Sequence, residues 1–95
     1  MTSSPRHFRA LLYSLKEAEA KLRTTGRTEA ADDLARAVRL LDSGDAADFL
    51  ADSRAVLESV LLGERNPPTE LVSVVLETIA QVDEKLREAS AHDRG

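Results

Sequence analysis

Four aspartates lie close together in the middle of the chain, at spacings of three, three and four residues: Asp42, Asp45, Asp48 and Asp52. Carboxylate oxygens are the ligands that calcium and magnesium prefer. A calcium loop of the EF-hand type needs oxygen ligands at alternate positions and a closing glutamate, and this stretch does not supply them. We therefore interpret the cluster as a solvated acidic face in which Asp45 caps a helix, and we predict no metal ion and no cofactor.

The residues that commonly perform acid–base or nucleophilic catalysis are scattered along the chain. The histidines, His7 and His92, lie near opposite ends, and neither has a second ligand at the spacing of a helical metal motif. The four glycines are isolated, so there is no glycine-rich loop to hold a phosphate. No set of acid, base and nucleophile can be assembled from this pattern, and we predict that the protein is not an enzyme.

The first predicted helix carries a better candidate for binding. With a rotation of about 100° per residue, Tyr13 points away from the apolar stripe of that helix, and Arg6 and Arg9 share its side. Tyrosine and arginine are enriched among the residues that contribute most to binding at protein interfaces. These three residues form the predicted partner-binding site. The alternative is an ordinary amphipathic tyrosine that neighbouring basic side chains cover in part.

Charge is distributed unevenly along the chain, whose net charge is −4. Residues 1–27 carry six basic and two acidic side chains, whereas residues 28–95 carry seven basic and fifteen acidic ones. A basic first helix packed beside acidic neighbours would explain this pattern, and so would a charged face that meets an oppositely charged partner. Because the basic residues form no continuous stripe and the rest of the chain would repel phosphate, we predict no binding to nucleic acid.

The spacing of apolar residues predicts four helices that would hold these groups, over about residues 5–24, 28–42, 45–62 and 67–90. A glycine follows each of the first three helices, and two prolines stiffen the last connection. Short connections favour antiparallel neighbours. The expected fold is therefore all-α, with a single helical domain over residues 1–95 built as an antiparallel up-down four-helix bundle.

The last predicted helix is the longest and has the widest apolar surface. Its first turns are apolar almost all round, so we predict that it is central and that the other helices pack against it. At about 36 Å it would overhang its neighbours, which leaves apolar residues without a partner inside one chain and predicts a homodimer. Leu40 and Leu62, which fall off the inner stripes of their own helices, would join such a contact. The predicted self-association residues are Leu71, Val74, Val82 and Leu86.

The function predicted from these features is a non-catalytic protein–protein interaction module, a small helical homodimer that acts as an adaptor or regulator through a protein partner. The chain has no cysteine, no apolar run that could span a bilayer and no apolar segment that could serve as a signal peptide, so we expect a cytoplasmic protein without a membrane partner. The alternative is an acidic inhibitor of the immunity or antitoxin type, which would cover the basic site of a toxin or nuclease. Its contact surface would be the acidic face, Asp42, Asp45, Asp48 and Asp52, together with Asp32 and Asp33.

Overall fold

The computed structural model describes the backbone of residues 8–94 and the side chains of residues 8–88. Within that part the chain forms α1 (Arg9–Thr24), α2 (Thr28–Asp42), α3 (Ala46–Leu62) and α4 (Thr69–Arg94). These helices confirm the predicted all-α class. The predicted start of the first helix, at residue 5, lies outside the described residues, and the last helix continues to Arg94 instead of ending near residue 90.

The four helices pack as a ring, which confirms the predicted four-helix bundle. α1 and α3 each contact both α2 and α4, whereas the backbones of the diagonal pairs do not approach one another over the described residues. α4 is the longest helix, with 26 residues, as predicted. The prediction that it is central, with all the others packed against it, is wrong for α2. In a ring each helix has two neighbours, so the wide apolar surface of α4 is divided between α1 and α3.

Two side-chain contacts fix the direction of α4 relative to α1. Near the end of α1, Nζ of Lys21 lies 3.1 Å from Oε2 of Glu70, at the start of α4. Further back along α1, the hydroxyl oxygen of Ser14 accepts a hydrogen bond of 2.8 Å from Nε2 of Gln81, which lies further along α4. These two helices therefore run in opposite directions. The up-down order of all four helices stays a prediction, which the short connections favour.

The core of the bundle is aliphatic, with a single aromatic contact at one end. Phe8, just before α1, and Phe49, in the first turn of α3, meet edge to face with their ring centroids 5.6 Å apart. Both rings are buried, so this contact closes the end of the core. Every helix contributes at least one completely buried leucine, among them Leu15, Leu34, Leu57 and Leu71.

The far part of α4 is covered within the single chain. Leu71 and Val82 are completely buried, and Val74 and Leu86 are half-buried against the same core. α3 reaches past Val82, because Asp83, the next residue of α4, accepts a hydrogen bond from Arg54. Leu71 and Val82 have no exposed surface in the single chain, and self-association through Leu71, Val74, Val82 and Leu86 stays a prediction.

An ion pair joins the start of α2 to the end of α3. Nε and Nη2 of Arg27 donate hydrogen bonds to the two carboxylate oxygens of Glu64, and Nη1 donates another to the carbonyl oxygen of Thr25 at 2.8 Å. Both charged side chains are partly buried. The hydrogen bonds from Arg27 favour the charged form of Glu64 and hold the pKa of its carboxyl below the ordinary value.

We predict that this ion pair makes the stability of the bundle fall in acid. Because the pKa of Glu64 is lower in the folded than in the unfolded state, its contribution is fully present above the unfolded-state pKa and is lost as the pH falls through the folded-state pKa. Urea unfolding should give a lower midpoint for Glu64→Gln than for wild type at neutral pH, and the difference should vanish once the pH is below the folded-state pKa of Glu64. The control Glu84→Gln changes an exposed carboxylate without an ion pair and should match wild type. A Glu64→Gln difference that is independent of pH would contradict the prediction.

Ser53 carries a buried hydroxyl without a hydrogen-bond partner. The residue is completely inaccessible on the inner face of α3, and its Oγ makes no hydrogen bond in the described part of the chain. Thr78 is equally buried on α4, but its hydroxyl donates to the carbonyl oxygen of Val74 at 2.7 Å. Burial of a polar group without a hydrogen-bond partner costs folding free energy, whereas a hydrogen bond within the fold compensates for that cost.

We predict that Ser53→Ala raises the free energy of unfolding by about 1 kcal/mol, because it removes the uncompensated hydroxyl and leaves a methyl group in an apolar site. Thr78→Ala is the comparison: it removes a satisfied hydroxyl and a packed methyl group, and it should lower that free energy by about 1–2 kcal/mol. Urea unfolding monitored by circular dichroism measures both. A loss of stability in Ser53→Ala would show that the hydroxyl is compensated in solution.

Candidate functional site

The outer face of α1, defined here by Arg9, Tyr13 and Lys16, presents an aromatic ring and two cations. Tyr13 is 70% exposed, which confirms the predicted direction of its side chain. Arg9 and Lys16 are exposed as well, and neither forms an ion pair within the described part of the chain. Arg6, the third residue of the predicted partner-binding site, lies outside the described residues. The structure therefore brings two of the three predicted residues together on one accessible face.

The other basic residues at the end of α1 are paired within the fold. Nη2 of Arg23 lies 3.0 Å from Oδ1 of Asp32 on α2, and Lys21 and Arg27 pair with carboxylates of α4 and of the α3–α4 connection. Packing of a basic helix beside acidic neighbours thus explains this part of the charge asymmetry. On α1 the cations without an ion pair among the described residues are those of its outer face.

The acidic face consists of side chains that are all exposed: Asp42, Asp45, Asp48 and Asp52. None of them forms an ion pair or a side-chain hydrogen bond among the described residues. Asp45 occupies the cap position of α3, but its carboxylate does not bond to the helix, so the predicted side-chain cap is absent. Its carbonyl oxygen accepts the N–H of Phe49 at 2.8 Å instead. The face therefore carries four negative charges that nothing in the described fold neutralises, and no acidic or histidine group there is arranged to hold a metal ion.

A groove of about 370 Å³ lies between α2 and α3 on the outside of the bundle. Its apolar floor consists of Ala37, Leu40, Ala55 and Val56. Leu40 and Val56 are half-buried, and the small side chains of the two alanines leave open space over the floor of the groove. Leu40 falls off the inner stripe of its own helix because it lies in this groove between two helices.

The rims of the groove are charged. Asp33 and Arg36 stand on the α2 side, one turn apart, with Nη1 of Arg36 lying 3.5 Å from Oδ1 of Asp33. Asp52 of the acidic face stands on the α3 side without a partner. The acidic face is therefore continuous with one wall of this groove. The groove could not be predicted from the sequence because it depends on the register between α2 and α3, although the charged and small residues of each wall recur at helical spacing.

An apolar patch lies on the outside of the α3–α4 pair. Leu62, the last residue of α3, is 80% exposed, and Leu76 on α4 is 52% exposed. The register between these helices is fixed by Nε of Arg54, which donates to Oδ1 of Asp83 at 2.6 Å. From that contact, both leucines lie about two turns towards the connection that joins the helices, so they reach the same level of the bundle. We call Leu62 and Leu76 the α3–α4 patch.

The outer face of α1 is separate from the surfaces that α3 carries. α1 and α3 stand diagonally across the ring, so the outer face of α1 points away from the residues of the acidic face on α3. The groove adjoins the acidic face at Asp52, and neither Leu62 nor Leu76 lines it.

Comparison with known proteins adds no information to this description. No protein-family model, no curated protein and no solved structure is significantly similar to the chain. None of the described helices combines the length and the apolar character that crossing a membrane requires. The function is therefore inferred from the geometry and chemistry of the surfaces.

Proposed function

We propose that the protein is a non-catalytic protein–protein interaction module, a small helical homodimer that acts as an adaptor or regulator. The observation that supports this proposal is the α3–α4 patch, where Leu62 and Leu76 expose large apolar side chains at the same level of the bundle. Apolar side chains that are grouped on a surface favour association, because water is released when they are covered.

The homodimer in this proposal uses the α3–α4 patch in place of the buried residues predicted from the sequence. Small exposed residues flank the patch on α4, namely Ser73 and Ala80, and they allow a second helix to approach closely. A two-fold symmetric contact uses the same surface on both copies, so a single interface covers the two exposed leucines of each copy. The outer face of α1 lies elsewhere and stays available to a protein partner.

The proposed location is the cytoplasm. The chain contains no cysteine, so its stability does not depend on an oxidising compartment. Its core is held by aliphatic packing and by the ion pair between Arg27 and Glu64, and neither responds to thiol redox conditions.

We predict that sedimentation equilibrium gives a mass twice the 10.4 kDa of the chain, and that Leu62→Glu combined with Leu76→Glu gives the monomer mass. The reason is that two carboxylates in the contact would be desolvated without partners. Ala10→Glu combined with Ala20→Glu adds the same charge on exposed positions of α1 and should stay dimeric. Circular dichroism checks that both variants are folded. A wild-type monomer at every concentration, or a dimeric leucine variant, would refute the proposed interface.

A second candidate function is the acidic inhibitor, and the acidic face is the observation that favours it. Its four exposed carboxylates have no cation partner within the described chain. Unpaired surface charges of one sign accelerate encounter with an oppositely charged protein, as in an inhibitor that covers a basic active site.

The inhibitor function predicts a strong dependence of binding on salt and on these carboxylates. With an identified target, Asp45→Lys combined with Asp48→Lys should weaken binding by at least about tenfold, and added salt should weaken wild-type binding steeply. Glu77→Lys combined with Glu84→Lys changes the same charge at exposed positions of α4 and is the matched control. Binding that survives both the acidic-face change and high salt would exclude this function.

A further inference from the structure

The α2 wall of the groove can accommodate about two turns of one incoming helix. It runs from Asp33 to Leu40, which is about 11 Å at the rise of an α-helix. The floor alternates small and branched side chains, and half-buried Leu40 and Val56 provide apolar area there. An amphipathic helix places apolar side chains at every third and fourth position on one face, which suits a floor of this shape.

A helix fits this groove better than an extended segment does. An extended peptide gains affinity by hydrogen bonding to the free edge of a sheet. Both walls here are helices whose backbone groups bond within the helix, so they offer no such edge. A helical partner satisfies its own backbone hydrogen bonds and contributes only side chains to the contact.

The charge of the rims selects a basic partner. Arg36 is the cation of the groove, and it is already paired with Asp33. Asp52 has no partner, and the acidic face continues beyond it through Asp48 towards the turn before α3. An incoming helix therefore meets uncompensated negative charge on the α3 side of the apolar floor, and lysine or arginine side chains beside its apolar stripe would neutralise that charge.

The described helices of a second copy do not have this pattern. The outer face of α1 has two free cations, but its one large exposed apolar side chain is Tyr13. The exposed side of α4 has Leu76, but its neighbours there include Glu77 and Glu84. Within residues 8–88, no exposed apolar stripe is flanked by basic residues, so we expect the groove to bind a helix of a different protein.

We propose that the groove between α2 and α3 binds a positively charged amphipathic helix of a partner protein. This inference rests on the proposed function as an interaction module and names the partner's chemistry. It is independent of the dimer contact, which uses Leu62 and Leu76, since neither of them lines the groove. The groove is lined by α2 and α3 alone, so a monomer would bind such a helix as well as a dimer would.

The test uses two synthetic helical peptides of about 16 residues, long enough to fill the groove. Both carry leucines at helical spacing, and the flanking positions are lysine in one peptide and glutamate in the other. Fluorescence anisotropy measures binding to the full chain, and amide chemical shifts locate the site. We expect the lysine peptide to bind at least about tenfold more tightly than the glutamate peptide and to shift the amides around Ala37, Leu40 and Val56.

A variant that fills the groove checks the location. Ala55→Trp places a large ring on the exposed edge of the floor without entering the core, and it should weaken binding of the lysine peptide by at least about tenfold. Ala20→Trp adds the same ring on the outer face of α1 and should leave binding unchanged. Circular dichroism checks that both variants fold.

Several outcomes would overturn the proposal. Equal binding of the two peptides, absence of binding, or shifts confined to the outer face of α1 or to the α3–α4 patch would each do so. If Ala55→Trp abolished the dimer, the groove would hold a second copy and the proposal would also be wrong. The sedimentation mass tests the dimer contact, and peptide binding tests the groove. Either proposal can therefore be refuted without the other.

Discussion

The inner apolar stripes of the four helices all pack into one shared core, and that packing determines which surfaces remain available for function. Each helix in the ring has two neighbours, so its apolar side faces both of them and the centre. The aromatic contact between Phe8 and Phe49 closes one end, and the ion pair between Arg27 and Glu64 ties α2 to α3 near the other. With the interior filled by aliphatic side chains, the surfaces that remain for function are outside the ring.

The distribution of charge follows from the same arrangement. Basic residues pair with carboxylates of neighbouring helices, as Arg23 does with Asp32 and Arg54 with Asp83. The exposed side chains left without partners include the cations on the outer face of α1 and the carboxylates of the acidic face. Exposed pairs contribute little to stability individually. Their larger effect is to decide which charges are left for a partner.

The helices could be predicted from the sequence because their signals are local. Gly26 and Gly44 end α1 and α2 with φ of 82° and 87°, a conformation that glycine adopts without strain. The direction of Tyr13 also follows from helical periodicity alone. Burial of Val82 could not be predicted, since it depends on how far α3 reaches along α4. The shared level of Leu62 and Leu76 and the groove between α2 and α3 likewise depend on the register between helices, which single-helix periodicity does not contain.

An isotope-filtered nuclear Overhauser experiment on a mixture of labelled and unlabelled chains tests the proposed homodimer most directly. It detects protons that are close to each other in different copies. The proposed homodimer predicts contacts between copies at the methyl groups of Leu62 and Leu76, and none at Leu71 or Val82, which are buried inside each chain. Contacts between copies at Val82, or none at the two exposed leucines, would contradict it.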